Sequence, residues 1–231
     1  MELLDWKLPE GVFAAVTTIS QPGNLAVHVD DDPAAVIRNR RQLLHELDLP
    51  VSPRWLRQIH STRVVEFNDA YPTAEADAIY SKQPHSVCAV LTADCLPILL
   101  CSHDGSEIAA VHAGWRGLAG GIIETALARF QCSSHELLAY IGPAISMPAF
   151  EVGDEVRAAF ISTGAVDSDT FRSHIPGKWH ANLPLLAQRI LEQHGCQAVQ
   201  QSGHCTYTDS RWYSYRRDSS CGRIASLIWK K

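Results

Sequence analysis

Three side chains of this sequence, His60, Cys95 and His112, are of the types that hold a transition-metal ion. His60 closes Gln58-Ile59-His60, and Cys95 sits in Ala93-Asp94-Cys95, where a strongly apolar run is interrupted. His112 ends Glu107–His112, directly before Ala113-Gly114-Trp115-Arg116-Gly117. Two imidazoles and a thiolate suit zinc, which is preferred here to copper, and three protein ligands leave one tetrahedral position for water or substrate. The separations of 35 and 17 residues match no zinc-finger spacing, so any convergence must come from the fold. The plainer alternative is that both histidines are independent polar residues at strand ends. Asp94 has three readings: it orients a ligand histidine through its second nitrogen, accepts a proton where water would sit, or caps the turn before Leu96.

A second set of residues suits anions and bases. Arg116 lies between two glycines beside a helix start, Arg63 follows His60, and Arg40 or Arg41 could reach in from a helix. Guanidinium forks and free N–H groups donate several directed bonds to phosphate, although a salt bridge would explain Arg116 as well. Near the C-terminus stand His204-Cys205-Thr206, Ser214-Tyr215-Arg216-Arg217-Asp218 and Gly222-Arg223. Adjacent strand residues face opposite ways, so Cys205 as a thiol nucleophile would pair with a distant group such as His112 and not with His204. Cys205 could instead close a structural metal site as its fourth ligand. Tyr215, Arg216 and Arg223 are candidates to close a pocket, and Trp115, Tyr207 and Trp212 to stack on a base or to pack the core.

The elements that must position these groups read as alternating strands and helices. Asp31, Asp32 and Pro33 start a helix that Pro50 stops, with Val36, Leu43, Leu44 and Leu47 on one face. Residues 55–67 read as extended, 71–75 as loop, and 87–92, 96–101, 107–112 and 137–141 as strands. Leu118 to Phe130 carries helical spacing across Gly120 and Gly121, and a further helix is expected after Pro148, through Phe160. Residues 162–181 read as an irregular surface excursion. Asn182 caps the next helix, Gly195 ends it, and Ala198–Gly203 reads as a final strand delivering His204 and Cys205. The expected fold is α/β or α+β in two or more layers, as a single domain over residues 1–231.

Composition narrows the classes. Of 231 residues 46% are hydrophobic and 19% charged, enough for a substantial core and against disorder. A net charge of −5 without a basic stripe argues against nucleic-acid polymers as partners. The N-terminus lacks the order of a secretory peptide, and the run Val87–Cys101, broken by Asp94 and Pro97, is too short to cross a membrane. Seven cysteines form an odd set without a CxxC pair, which fits free thiols in a reducing, cytoplasmic setting. Oligomeric state is not legible.

Taken in order, Gln58-Ile59-His60, Ala76-Asp77-Ala78, Thr92-Ala93-Asp94-Cys95-Leu96-Pro97, His112-Ala113-Gly114-Trp115-Arg116-Gly117, Ile141-Gly142-Pro143, Cys205-Thr206 and Ser214-Tyr215-Arg216-Arg217-Asp218 resemble the YfiH-like family. It is also called the laccase-domain or multicopper polyphenol oxidase family. The resemblance implies a mixed α-β-β-α sandwich and zinc held by His60, Cys95 and His112. It implies phosphorolysis of adenosine, inosine, guanosine and methylthioadenosine, so that purine nucleoside and inorganic phosphate are the partners, together with adenosine deamination. Arg116 and Arg63 would then help hold phosphate or sugar, with Asp94 near the metal. Ser61, Asn182 and Cys221 depart from residues frequent in the family, which bears on pocket shape. Peptidoglycan-precursor editing, copper-dependent phenol oxidation and a noncatalytic ligand-binding role are the alternatives.

Overall fold

Val87–Thr92 and Ile224–Lys230 bury every residue, which a pair of neighbouring strands sustains only when both faces are covered. In the computed structural model, which describes all residues except Pro72 and Thr73, that covering makes four layers. Among the described residues the chain order is β1 (Glu2–Leu3), β2 (Val12–Val16), α1 (Pro33–Glu46), β3 (Val64–Glu66), β4 (Ala78–Ser81), β5 (Val87–Thr92), β6 (Leu96–Ser102) and β7 (Ile108–Ala113). It continues with α2 (Trp115–Gly120), α3 (Ile122–Leu127), β8 (Leu137–Ile141), β9 (Glu151–Gly153), α4 (Asp154–Phe160), β10 (Phe171–Ser173), β11 (Lys178–Ala181), α5 (Leu183–Gln193), β12 (Ala198–Gln201) and β13 (Ile224–Lys230).

An antiparallel sheet ordered β1-β2-β13-β5 packs on a mixed sheet ordered β12-β8-β6-β7-β4-β3. The period-2 alternation of strand side chains sorts the core. Cys88, Val90 and Ile228 point from the smaller sheet toward Ile79, Leu99, Cys101 and Ala110 of the larger. Their neighbours Val87, Ala89, Leu91, Leu227 and Trp229 face Leu43 and Leu47 of the α1 segment. On the far side Leu96, Ile98, Leu100 and Val111 pack against Leu118, Ile122, Leu186 and Ile190 of α2, α3 and α5. The α-β-β-α sandwich expected from the resemblance is the observed fold. No helix among the described residues is long and apolar enough to cross a membrane.

Several local expectations need correction. Helix α1 does start at Pro33, with the Asp32 carboxylate accepting from the N–H groups of Ala34 and Ala35 at 3.0 and 3.2 Å. It ends at Glu46, well before Pro50, because Asp48 turns left-handed (φ 47°) and Leu49 N–H returns to the Leu44 carbonyl, a Schellman closure. The extended reading of 55–67 holds only for Val64–Glu66. The loop reading of 71–75 falls partly on Pro72 and Thr73, which lie outside the described residues. The helix expected over 118–130 begins earlier, at Trp115, and breaks at Gly121, whose φ of 98° no helix accommodates. The segment after Pro148 enters β9 before α4, and the supposed excursion 162–181 contains β10 and β11, which pair with β9 in an antiparallel sheet ordered β10-β11-β9. Ala198–Gln201 is a strand but not the last one, since β13 follows and lies between β2 and β5.

Three thiols sealed in the core give a stability expectation. Cys88, Cys101 and Cys196 are fully buried, and burial pushes each thiol up, Cys101 to about 12 and Cys196 to about 11. Unfolded thiols ionise near pH ~8.5 while the folded ones stay protonated, so the unfolded state binds fewer protons and stability falls as pH rises through that window. Each thiol is expected to cost roughly 2 kcal/mol between pH 8 and 10, and the three together approach the whole stability of a typical domain. Urea unfolding at the two pH values checks this, and equal midpoints would refute it.

Candidate metal centre and substrate cavity

The donor triad assembles around a carboxylate. Asp77, immediately before β4, has no solvent exposure, and its side chain binds both histidine-bearing segments. One oxygen accepts from His60 N–H at 2.9 Å and lies 2.8 Å from Nδ1 of His112. The other accepts from the Ser61 N–H and hydroxyl at 2.6 and 2.7 Å, and from Ile59 N–H at 3.3 Å. Burial alone would raise the Asp77 carboxyl, but the bonds from His112 and Ser61 outweigh it and hold the group at about 2. These bonds keep His60 in the left-handed region (φ 59°), a conformation that side chains other than glycine seldom adopt. With Nδ1 of His112 on Asp77, its Nε2 faces inward.

Cys95 enters from the break between β5 and β6. Its Sγ lies 3.7 Å from Nε2 of His60, and the His60 and His112 rings meet edge-on with centroids 4.9 Å apart. One donor atom from each of His60, Cys95 and His112 lies within 4.8 Å of the other two. Burial opposes ionisation of the Cys95 thiol, yet the two imidazoles beside it pull it well below the ordinary thiol range. Burial likewise opposes charging His112, and Asp77 and Cys95 outweigh that and raise it. A thiol and imidazole that stabilise each other's charged forms, with a third nitrogen alongside, make a donor set that fits a borderline metal ion.

Gly114 is part of the cradle. A Cβ there would lie 2.6 Å from Cδ2 of His60 and 3.3 Å from Sγ of Cys95, although its backbone (φ −62°, ψ 157°) is open to any residue. Gly114→Ala is therefore expected to leave thermal stability nearly unchanged while displacing His60 and lowering metal affinity about 10- to 100-fold. A chelator-competition titration measures this, and wild-type affinity would show that His60 needs no such space.

The triad opens on a cavity of about 410 Å³, within the size range of small-molecule sites. Trp115, Phe150, Ile145 and Leu183 give it apolar walls, and His28, Tyr215, Arg216 and Arg223 bring polar groups to it. Burial, then the charges of Arg223 and Arg40, lower the His28 pKa. Asp94 also lines the cavity and, like His60, has positive φ (85°). It does not orient a ligand histidine; Asp77 has that place. Asp94 accepts instead from the Thr206 and Ser214 hydroxyls at 2.6 and 3.0 Å and from Arg216 N–H at 2.7 Å, which ties the Tyr215-Arg216 segment to the turn that presents Cys95. The Arg216 guanidinium donates to the Ala149 and Glu151 carbonyls, both at 3.3 Å.

Several residues singled out in the sequence do not line the cavity, among them Arg116, Arg63, Arg40 and Cys205. Arg116 is exposed, with its guanidinium 4.2 Å over the Trp115 ring, and Arg63 is also exposed. Arg40 donates twice to the Leu25 carbonyl, at 2.9 and 2.7 Å, and covers Trp55. Cys205 accepts from Ser146 N–H at 3.3 Å and is not part of the donor triad, so a structural site closed by Cys205 does not form. Of the three aromatics considered for stacking, only Trp115 lines the cavity; Trp212 is fully buried and Tyr207 lies outside. Nothing in the sequence alone assigns a role to Asp77, Gln58 or His28. Asp77 was visible only within Ala76-Asp77-Ala78, and nothing near His28 marked it.

A family model described as multi-copper polyphenol oxidoreductase laccase matches residues 14–231. The chain belongs to this family. It is 46% identical to a Pseudomonas aeruginosa protein named a purine nucleoside phosphorylase, over 97% of this chain and 96% of that one. It is 42% identical to the Escherichia coli protein named purine nucleoside phosphorylase YfiH, with the same coverage. Among solved structures, a Neisseria meningitidis protein aligns with a TM-score of 0.93 at 40% identity, covering 100% of this chain and 98% of that one. YlmD from Geobacillus stearothermophilus aligns with a TM-score of 0.86 at 26% identity, covering 96% and 93%. The YfiH-like resemblance is thus borne out, and the relatives' names point to phosphorylase chemistry.

Proposed function

We propose that this chain is a zinc-dependent purine nucleoside phosphorylase acting on adenosine, inosine, guanosine and methylthioadenosine, and that it also deaminates adenosine. One observation carries the reading: a single cavity is lined by the His60–Cys95–His112 triad, by Arg216, Arg223 and His28, and by apolar and aromatic side chains. The relatives named purine nucleoside phosphorylase support it. In phosphorolysis a phosphate oxygen bonds to the sugar C1′ as the C1′–N9 bond breaks, and the leaving base takes a proton. Held by His60, Cys95 and His112, zinc would supply Lewis acidity at the open end of the triad.

The chain's residues have separate tasks in this scheme. Arg223 and Arg216 donate to phosphate oxygens, and their fixed charge stabilises the anion as it approaches C1′. Trp115, Phe150 and Tyr215 hold the purine and exclude water. Asp94 positions Arg216 through its backbone, while Arg116, Arg63, Arg40 and Cys205 take no direct part. Residues 1–231 are read as one unit, and seven free cysteines support a cytoplasmic setting.

Zinc-loaded protein given adenosine and phosphate should release adenine and ribose 1-phosphate, and without phosphate it should yield inosine. Arg223→Gln is expected to raise the KM for phosphate about tenfold, the worth of one bond to a charged group, and to spare phosphate-independent inosine formation. Failure to form ribose 1-phosphate from any of the four nucleosides would reject the phosphorylase reading. Oxygen uptake with a phenol only after copper loading would favour the oxidase alternative.

A further inference from the structure

The β10-β11-β9 sheet gathers a second set of donors, unrelated to the triad. His180 on β11 is the cross-strand partner of Glu151 on β9 and of Arg172 on β10. His174 follows β10, and its N–H donates to the Lys178 carbonyl at 3.1 Å, so the ladder continues past Ser173. Residues two apart on a strand share a face, which places His174 on the face of Arg172 and diagonally across from His180. The His174 and His180 ring centroids are 4.6 Å apart, and Nε2 of His174 lies 3.5 Å from Oε2 of Glu151. One donor atom from each of the three falls within 4.8 Å of the other two. A separation of 3.5 Å is too long for a good charge-assisted hydrogen bond, so the groups converge without satisfying one another.

We propose that Glu151, His174 and His180 form a second metal site, selective for first-row divalent cations such as zinc. Two imidazoles and a carboxylate are a common donor set for these ions. Glu151 and His180 are half-buried and His174 is exposed, so water completes the coordination and the ion exchanges readily. Arg172 shares the face and its charge makes this the weaker of the two sites. The ion would clip β9 to the β10–β11 hairpin next to the cavity wall, since Phe150 lines the cavity and the Glu151 carbonyl receives Arg216.

Titrating metal-stripped protein with cobalt(II) chloride, and then with zinc chloride against a chelator, separates the two sites. Cobalt held by Cys95 gives a thiolate charge-transfer band, whereas the second equivalent should bind without adding to it. His174→Ala and His180→Ala should each lose that second equivalent and keep the band; His112→Ala should lose the band and keep the second equivalent. The proposal is overturned if both hairpin variants bind as many equivalents as wild type, or if all metal taken up by wild type tracks the band. Absence of the band with a His174-dependent equivalent would reject the triad reading and support this one.

Discussion

Replacing His112 with alanine is expected to strip the triad of its metal and to lower turnover at least about a thousandfold, a loss of roughly 4 kcal/mol in transition-state stabilisation. His112 contributes twice: its Nε2 faces Cys95 and His60, and its Nδ1 is bonded to Asp77. Alanine leaves the fully buried Asp77 carboxylate without its cationic partner, for which breaking a buried pair typically costs about 3–5 kcal/mol. The variant should therefore be less stable even in a chelator, and His112→Asn separates the two losses because its amide nitrogen takes the place of Nδ1 beside Asp77 while leaving no donor where Nε2 stood. Metal content by elemental analysis, ribose 1-phosphate release and urea unfolding are the three readouts. Wild-type metal content together with an unchanged rate would remove His112 from the site.

Asp77 is expected to give the next largest effect, and with a different signature. Asp77→Asn keeps the volume and one acceptor but cannot accept at both oxygens from His60, Ser61 and His112. Losing the group that orients a ligand histidine typically costs about 10- to 100-fold in metal affinity. Asp77→Ala goes further, because it orphans the Ser61 and His60 N–H groups and releases His60 from its left-handed conformation. The asparagine variant should recover activity at high zinc, since its residues still converge, whereas the alanine variant should not. Equal rescue of both would mean that Asp77 only fills space.

Cys95 and His112 were legible because they interrupt or end strongly apolar strands, whereas His60 stands at a bend outside any strand and was joined to them through the family resemblance. The caps of α1 and α5 were legible for a related reason, as Asp32 and Asn182 act on N–H groups two or three residues away. Asp77 was not, since its role depends on His112, 35 residues on, and its own neighbours are small and apolar. Asp94 drew that role by adjacency to Cys95, and the fold gave the carboxylate to residues more than a hundred positions away. Arg116 looked suited to an anion because of its glycines, yet one of them admits His60 and the arginine lies over Trp115. Strands β9, β10 and β11 escaped notice because runs of three or four residues, each with a single buried apolar side chain, carry too little alternation to mark a strand.

The position of β13 sets the order of assembly during synthesis. It is central to its sheet, so β2 and β5 remain unjoined until residues 224–230 have left the ribosome. Until then Val90 and Leu91 lack their neighbour, and a nascent chain presents a bare sheet edge that invites wrong pairing. Chaperone demand should thus be greatest before residues 224–230 emerge, when the two halves of the sheet are both made but not yet joined.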